Sequence, residues 1–215
     1  VDTVWADPRK LAQHPQEFAR LAKALDRDKN WLARRVTSNL DREFVYLVRH
    51  MRPADAAKVK ALGISGVDTL REYRRYYPAG EVTGHLLGFT NVDDVGQEGL
   101  ELAFDQWLGG EPGIKRVMRD REGRTIEDIE RIKAPRPGQD LRTSIDLRVQ
   151  YLAYRALKQA VQENSAHGGS VVVLDIQTGE VLAMVNQPAF NPNDREQYLP
   201  SRYRNRATND FLEPG

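Results

Sequence analysis

The stretch "HGGSVVVLDIQTGEVLAMVNQP", His167 to Pro188, decides how the rest of the chain is read. It predicts two strands, Ser170–Ile176 and Glu180–Asn186, turned through Gln177-Thr178-Gly179. The glycine supplies the positive φ that a short hairpin loop needs. Val171, Val172, Val173 and Leu174 are consecutive, so the pattern predicts a sheet covered on both faces rather than one alternating between core and water. The preceding residues supply one cover. Asp146 caps a predicted helix of about five turns whose apolar face carries Val149, Ala153, Ala156, Leu157, Ala160 and Val161. Too few elements follow the hairpin to cover the other face, so this domain is expected to be incomplete.

Working outward, the character of the chain changes near residue 142, and a domain boundary is expected there. Before it, "APRPGQDL" is a Pro/Gly turn leading into an expected short strand, "LRTSI". The stretch "GIKRVMRD", "REG", "RTIEDIERI" predicts two strands around a tight turn. Charges alternate in sign from Lys115 to Arg136 with no aromatic residues interleaved, which describes a solvated β-ribbon and not a nucleic-acid surface. Further upstream, Asp7-Pro8 is a helix-start signal. Phe18, Leu21, Ala22 and Leu25 recur at helical spacing. Asp28 can cap a helix bearing Trp31, Leu32 and Val36. "EFVYLVR" predicts a strand, "RPADAAKVKALG" a helix with Gly63 as its C-cap, and "GVDTLREYRRYYP" an extended segment closed by Pro78. "QEGLELAFDQWLGG" predicts one helix with Leu100, Phe104, Trp107 and Leu108 in a single stripe.

The 215 residues carry 32 basic and 31 acidic side chains, a net charge of +1 that draws the chain to no polyanion. A composition of 40% hydrophobic and 29% charged residues describes a globular protein. The absence of cysteine excludes a disulfide framework, thiolate zinc sites and a cysteine nucleophile. No apolar run reaches the ~20 residues that span a bilayer, and no signal peptide is expected within these residues. Val4 and Trp5 already look like folded sequence, so both ends are expected to be cut from a longer protein.

Chemistry intrinsic to the chain is sparse. His14, His50, His85 and His167 lack metal-ligand spacing, and the acidic pairs Asp93-Asp94 and Glu127-Asp128 fit solvation or capping. No phosphate or dinucleotide motif is present. Ser38, Ser65, Ser144, Ser165, Ser170 and Ser201 all lack a lysine three residues later, and Gln177-Thr178-Gly179 lacks the cation of a Lys-Thr-Gly. No cofactor, no metal and no catalytic residue is expected within the chain, which read from its residues alone is a two-part α/β fragment without an assembled site.

Three stretches together resemble the class B penicillin-binding proteins, the transpeptidases that cross-link bacterial peptidoglycan: "RRYYPAGEVTGHLLGFTN" (Arg74–Asn91), "GQEGLELAFDQWLGGEPG" and "GGSVVVLDIQTGEVLAMVNQPAFNPN". The resemblance covers essentially the whole chain. It implies an α+β protein: an elongated pedestal domain of helices and β-ribbons over 1–142, which binds no penicillin, then the opening helix and β-hairpin of a transpeptidase domain over 143–215. Arg75, Tyr77, Pro78, Gly80, His85 and Gly88 carry the first motif. Two roles are open to them, pedestal packing or contact with a partner such as a glycosyltransferase of the SEDS family and other division proteins. The terminal "NRATNDFLEPG" resembles the approach to the family's Ser-x-x-Lys, so the nucleophilic serine is expected directly after Gly215 and the chain itself is expected to be inactive. For the parent protein the resemblance implies acyl transfer through that serine between peptidoglycan stem peptides, with β-lactams trapping the same residue. It also implies septal synthesis at the periplasmic face of the inner membrane, with an N-terminal membrane anchor outside this chain. The elongation-type transpeptidase, a non-catalytic scaffold and a β-lactam sensor or hydrolase are the competing readings.

Overall fold

The structure, a computed structural model, describes residues 1–119, 125–194 and 200–211. Its contacts form two compact units that divide between Arg74 and Arg75, inside the span expected to be the pedestal: one is built on Val1–Arg74, the other on Arg75–Met118 and the residues from Thr125. Helix and strand are mixed throughout, the α+β character expected.

In the first unit the chain runs β1 (Asp2–Ala6), α1 (Pro8–Leu11), α2 (Phe18–Ala24), α3 (Lys29–Thr37), β2 (Val45–Met51), α4 (Pro53–Lys60) and β3 (Val67–Arg71). The order β2-β1-β3 places the first strand in the middle, antiparallel to both neighbours. Val4, Ala6, Val45 and Leu47 turn to one side of this sheet and meet Leu11, Leu21, Leu32, Val36 and Val59 from the helices. Two aspartates start helices as expected. Asp7 accepts from the N–H groups of Arg9 and Lys10, and Asp28 from those of Asn30 and Trp31. Gly63 sits at φ +64°, beyond the end of α4.

The second unit holds α5 (Gly84–Leu87), α6 (Gly99–Ala103), α7 (Asp105–Leu108), β4 (Ile114–Arg119), β5 (Thr125–Lys133), α8 (Leu147–Glu163), β6 (Gly169–Leu174), β7 (Val181–Gln187), α9 (Pro200–Tyr203) and α10 (Arg206–Asn209). β4 pairs with β5 and β6 with β7. The tight turn expected between β4 and β5, and most side chains of that ribbon, lie outside the described residues.

Three expectations change here. The helix expected over "QEGLELAFDQWLGG" is two short helices broken at Phe104 (φ −118°, ψ 26°). Leu102, Phe104 and Trp107 are exposed and Glu101 is buried instead. The cause is backbone crowding: a Cβ on Gly88 would lie 1.8 Å from the Glu98 carbonyl oxygen, and one on Gly96 2.1 Å from that of Glu101. These contacts set the face that turns inward. The strand expected over "LRTSI" does not form. There the Ser144 hydroxyl donates to the Val181 carbonyl at 2.8 Å and the Asp146 N–H to the Leu182 carbonyl at 3.0 Å, isolated bonds along the edge of β7 and not a ladder.

The inward face of α8 is rotated from the one expected. Gln150, Tyr154 and Leu157 are buried, with Ala153 and Val161 beside them, whereas Ala156 and Ala160 face out. One face of β6 is left open along Val172 and Leu174, in line with the few elements that follow the hairpin. Val171 packs with α8, while Val172 and Leu174 remain 44% and 54% exposed.

Candidate functional site

The residues of the first sequence motif all fall at the start of the second unit, where Tyr77 and His85 meet residues 190–193 and 202–205. Tyr77 is 3% exposed and is held at three points. Its N–H donates to Asn193 Oδ1 at 3.0 Å, its carbonyl accepts from Asn193 Nδ2 at 2.8 Å, and its hydroxyl accepts from the Thr90 N–H at 3.2 Å. Its ring joins Phe89, Phe190 and Tyr203 in a buried cluster, in which Phe190 and Tyr203 stand edge to face at 4.6 Å. His85, also buried, packs edge-on against Phe190 at 5.0 Å, and its Nε2–H donates to the Arg202 carbonyl at 2.8 Å. Burial pushes the imidazole pKa below its ordinary value, so the ring is neutral at pH 7.

Arg75 Nε lies 3.0 Å from the carboxylate of Glu101, which is why an acidic residue occupies an inward position of α6. Gly80, at φ +51°, donates its N–H to the Tyr77 carbonyl at 3.0 Å and closes the turn after Pro78, which is itself exposed. Gly88, at φ +72°, ends α5 where the backbone of Glu98 leaves no room for a side chain. Beside these residues a shallow cleft of about 270 Å³ is lined by Arg75, Tyr76, Pro78, Leu100, Leu108 and Asp140, among others.

A second polar set was not anticipated. Gln150, at the inner face of α8, is fully buried. Its amide accepts from the Met184 N–H and donates to the Met184 carbonyl, each at 2.8 Å, and donates to the Val82 carbonyl at 2.8 Å. One side chain thereby continues the β7 ladder and ties α8 to the turn at residues 80–82. One turn on, the Tyr154 hydroxyl donates to Glu81 Oε1 at 2.5 Å, and Lys158 donates to that hydroxyl at 2.8 Å and to Glu81 at 3.2 Å. The bond from Tyr154 holds the Glu81 carboxyl below its ordinary pKa, while burial and then Glu81 raise that of Tyr154. The readable signal was the spacing of Gln150, Tyr154 and Lys158, i, i+4 and i+8 on one face of a helix.

Chemically, this is a junction of hydrogen bonds, an ion pair and packed rings. Among the described residues no group of His, Asp and Glu side chains could hold a metal, and no helix is long and apolar enough to cross a membrane. Fold and junction define the class of protein: a mixed helix-and-strand chain in two units, the second of which holds α8 and the β6–β7 hairpin. The chain belongs to the penicillin-binding protein dimerisation-domain family, whose model matches residues 3–143, and the model of the penicillin-binding protein transpeptidase domain matches residues 169–215.

Among curated relatives, it is 43% identical over 215 residues to the probable peptidoglycan D,D-transpeptidase PbpC of Pseudomonas aeruginosa, covering all of this chain and 38% of that protein. It is 44% identical over 220 residues to the peptidoglycan D,D-transpeptidase FtsI of Escherichia coli K12, covering all of this chain and 37% of that one. The chain thus spans little more than a third of the length of these relatives. Among solved structures, penicillin binding protein 2X from Streptococcus thermophilus shares the fold at a TM-score of 0.57 and 18% identity, over 98% of this chain and 34% of that one.

Proposed function

We propose that this chain is the pedestal, over residues 1–142, and the start of the catalytic domain, over 143–215, of a peptidoglycan D,D-transpeptidase. The whole enzyme cross-links stem peptides through an acyl-serine intermediate during septal wall synthesis and is trapped by β-lactams. Its nucleophile is a serine that follows Gly215 in the longer protein. It works at the periplasmic face of the inner membrane, held by an anchor upstream of this chain. The observation that carries this reading is the agreement along all 215 residues with two proteins named as D,D-transpeptidases. The likeness to the transpeptidase FtsI, the second of these, favours septal over elongation synthesis.

The six motif residues are, in this reading, packing determinants of the junction, and a SEDS-family partner reaches the pedestal through other surface. Fluorescent penicillin tests the assignment. No covalent adduct is expected on the 215-residue chain, and one per molecule on a chain extended to the length of its relatives. Slow release of that adduct marks a transpeptidase and rapid turnover a hydrolase, while an extended, folded chain that takes no label at all removes the proposal.

A further inference from the structure

The apolar run of β7, Val181 to Val185, is interrupted at Asn186, which is only 2% exposed. A buried amide is costly unless each of its polar atoms is bonded, and here every one is. Asn186 Oδ1 accepts from the Ser170 hydroxyl at 2.6 Å on the neighbouring strand and from the N–H of Ala207 at 2.9 Å. Its Nδ2 donates to Asn205 Oδ1 at 2.9 Å. The Asn205 amide in turn reaches the His85 carbonyl at 3.5 Å and Met184 Sδ at 3.4 Å. The His85 ring returns to the same segment through the Arg202 carbonyl.

Backbone or side-chain groups of residues 202, 205 and 207 are therefore gripped from the sheet and from α5 at once, and Tyr203 between them is locked in the aromatic cluster. Three points of attachment within six residues leave the segment little freedom to rotate or slide. Satisfied buried networks of this kind specify one arrangement rather than merely adding stability. An apolar residue at 186 would bury as well and hold nothing.

We propose that Asn186 and Asn205 are positioning residues that set the backbone of residues 205–210 and, through it, the orientation of the nucleophile. The second half of this statement rests on the transpeptidase reading above; the first stands on the geometry alone. Misplacing a nucleophile by about 1 Å costs on the order of a hundredfold in rate, so loss of the amides acts on the acylation step and not on affinity for the acylating agent.

Two measurements test it. In the 215-residue chain, Asn205→Ala and Asn186→Ala are expected to speed amide hydrogen exchange at Ala207–Asp210 about tenfold or more while the β6–β7 amides keep theirs. Unchanged exchange at Ala207–Asp210, or equal loss in the strands, overturns the positioning role. In the extended protein the same substitutions are expected to lower the first-order acylation rate by penicillin about tenfold or more, with its affinity within about twofold. Acylation at the parental rate overturns the catalytic half.

If Asn186→Ala does not fold, Asn186→Asp preserves volume and both acceptor bonds but removes the donor to Asn205. Its acylation rate is expected to recover as the pH falls and the carboxyl regains a proton; a rate that stays parental and flat with pH overturns the proposal. An unsubstituted extended protein that takes no penicillin removes the transpeptidase reading, and hydrogen exchange still decides the positioning role.

Discussion

Arg75 shows how one residue of the first motif is used. Its guanidinium neutralises Glu101, whose side chain is 10% exposed while that of Arg75 is 41% exposed. With one partner reaching solvent the pair is partly screened, so its worth is modest, about 1 kcal/mol. Arg75→Ala is expected to lower stability to urea by about that amount, with Arg75→Lys intermediate because lysine offers no planar fork. In the extended protein, partner-stimulated cross-linking should fall no further than stability does; a larger, selective loss would return Arg75 to a partner contact. That a basic side chain here seeks an acid was legible in the sequence. Which acid it meets was not, because Glu101 lies 26 positions on, in a helix whose inward face the periodicity misassigned.

At the scale of elements, α8 is where pattern and packing part company. Its length and its Asp146 cap are as the sequence predicts, since both depend on neighbours in the chain. Its face is not. Periodicity sorted residues by apolarity and put Ala156 and Ala160 inside, yet Gln150 and Tyr154 are buried because the free edge of β7 and Glu81 offer them partners. A polar side chain that finishes another element's hydrogen bonds belongs in the core, and no local window contains that element. Gln150→Ala is expected to destabilise the second unit by about 1–3 kcal/mol, the cost of leaving buried Met184 and Val82 backbone groups unpaired. The loss should appear in urea unfolding followed by a probe in that unit. A change under about 0.5 kcal/mol would mean that water replaces the amide there at no cost.

For the molecule as a whole, the division into two units predicts an uneven response to acid. His85 lies in the second unit, and burial holds its folded pKa below the ordinary value of 6.5. The unfolded chain therefore takes up the proton first. The stability that the neutral ring contributes is fully present above about pH 6.5 and is lost as the pH falls through the lower, folded value. Thermal scans should show the second unit weakening as the pH drops below about 6.5, with His85→Gln, which keeps a donor for the Arg202 carbonyl, giving a flatter profile. Equal pH dependence of the parent and His85→Gln would exclude the ring as the source.

The sequence by itself determined the helix starts at Asp7, Asp28 and Asp146, the β6–β7 hairpin with its glycine turn, and the mixture of helix and strand. Each of these is written in residues within a few positions of one another, where caps, turns and periodicity act. Only the tertiary structure decided that Glu101 and Gln150 point inward, that Phe104 breaks a helix, and that Asn186, Asn205 and His85 hold one segment between them. The break at Phe104 apart, those outcomes turn on groups 19 to 120 residues apart, whose burial is tolerated only because a distant donor or acceptor is waiting. Such a partner acquires its address only when the chain has folded.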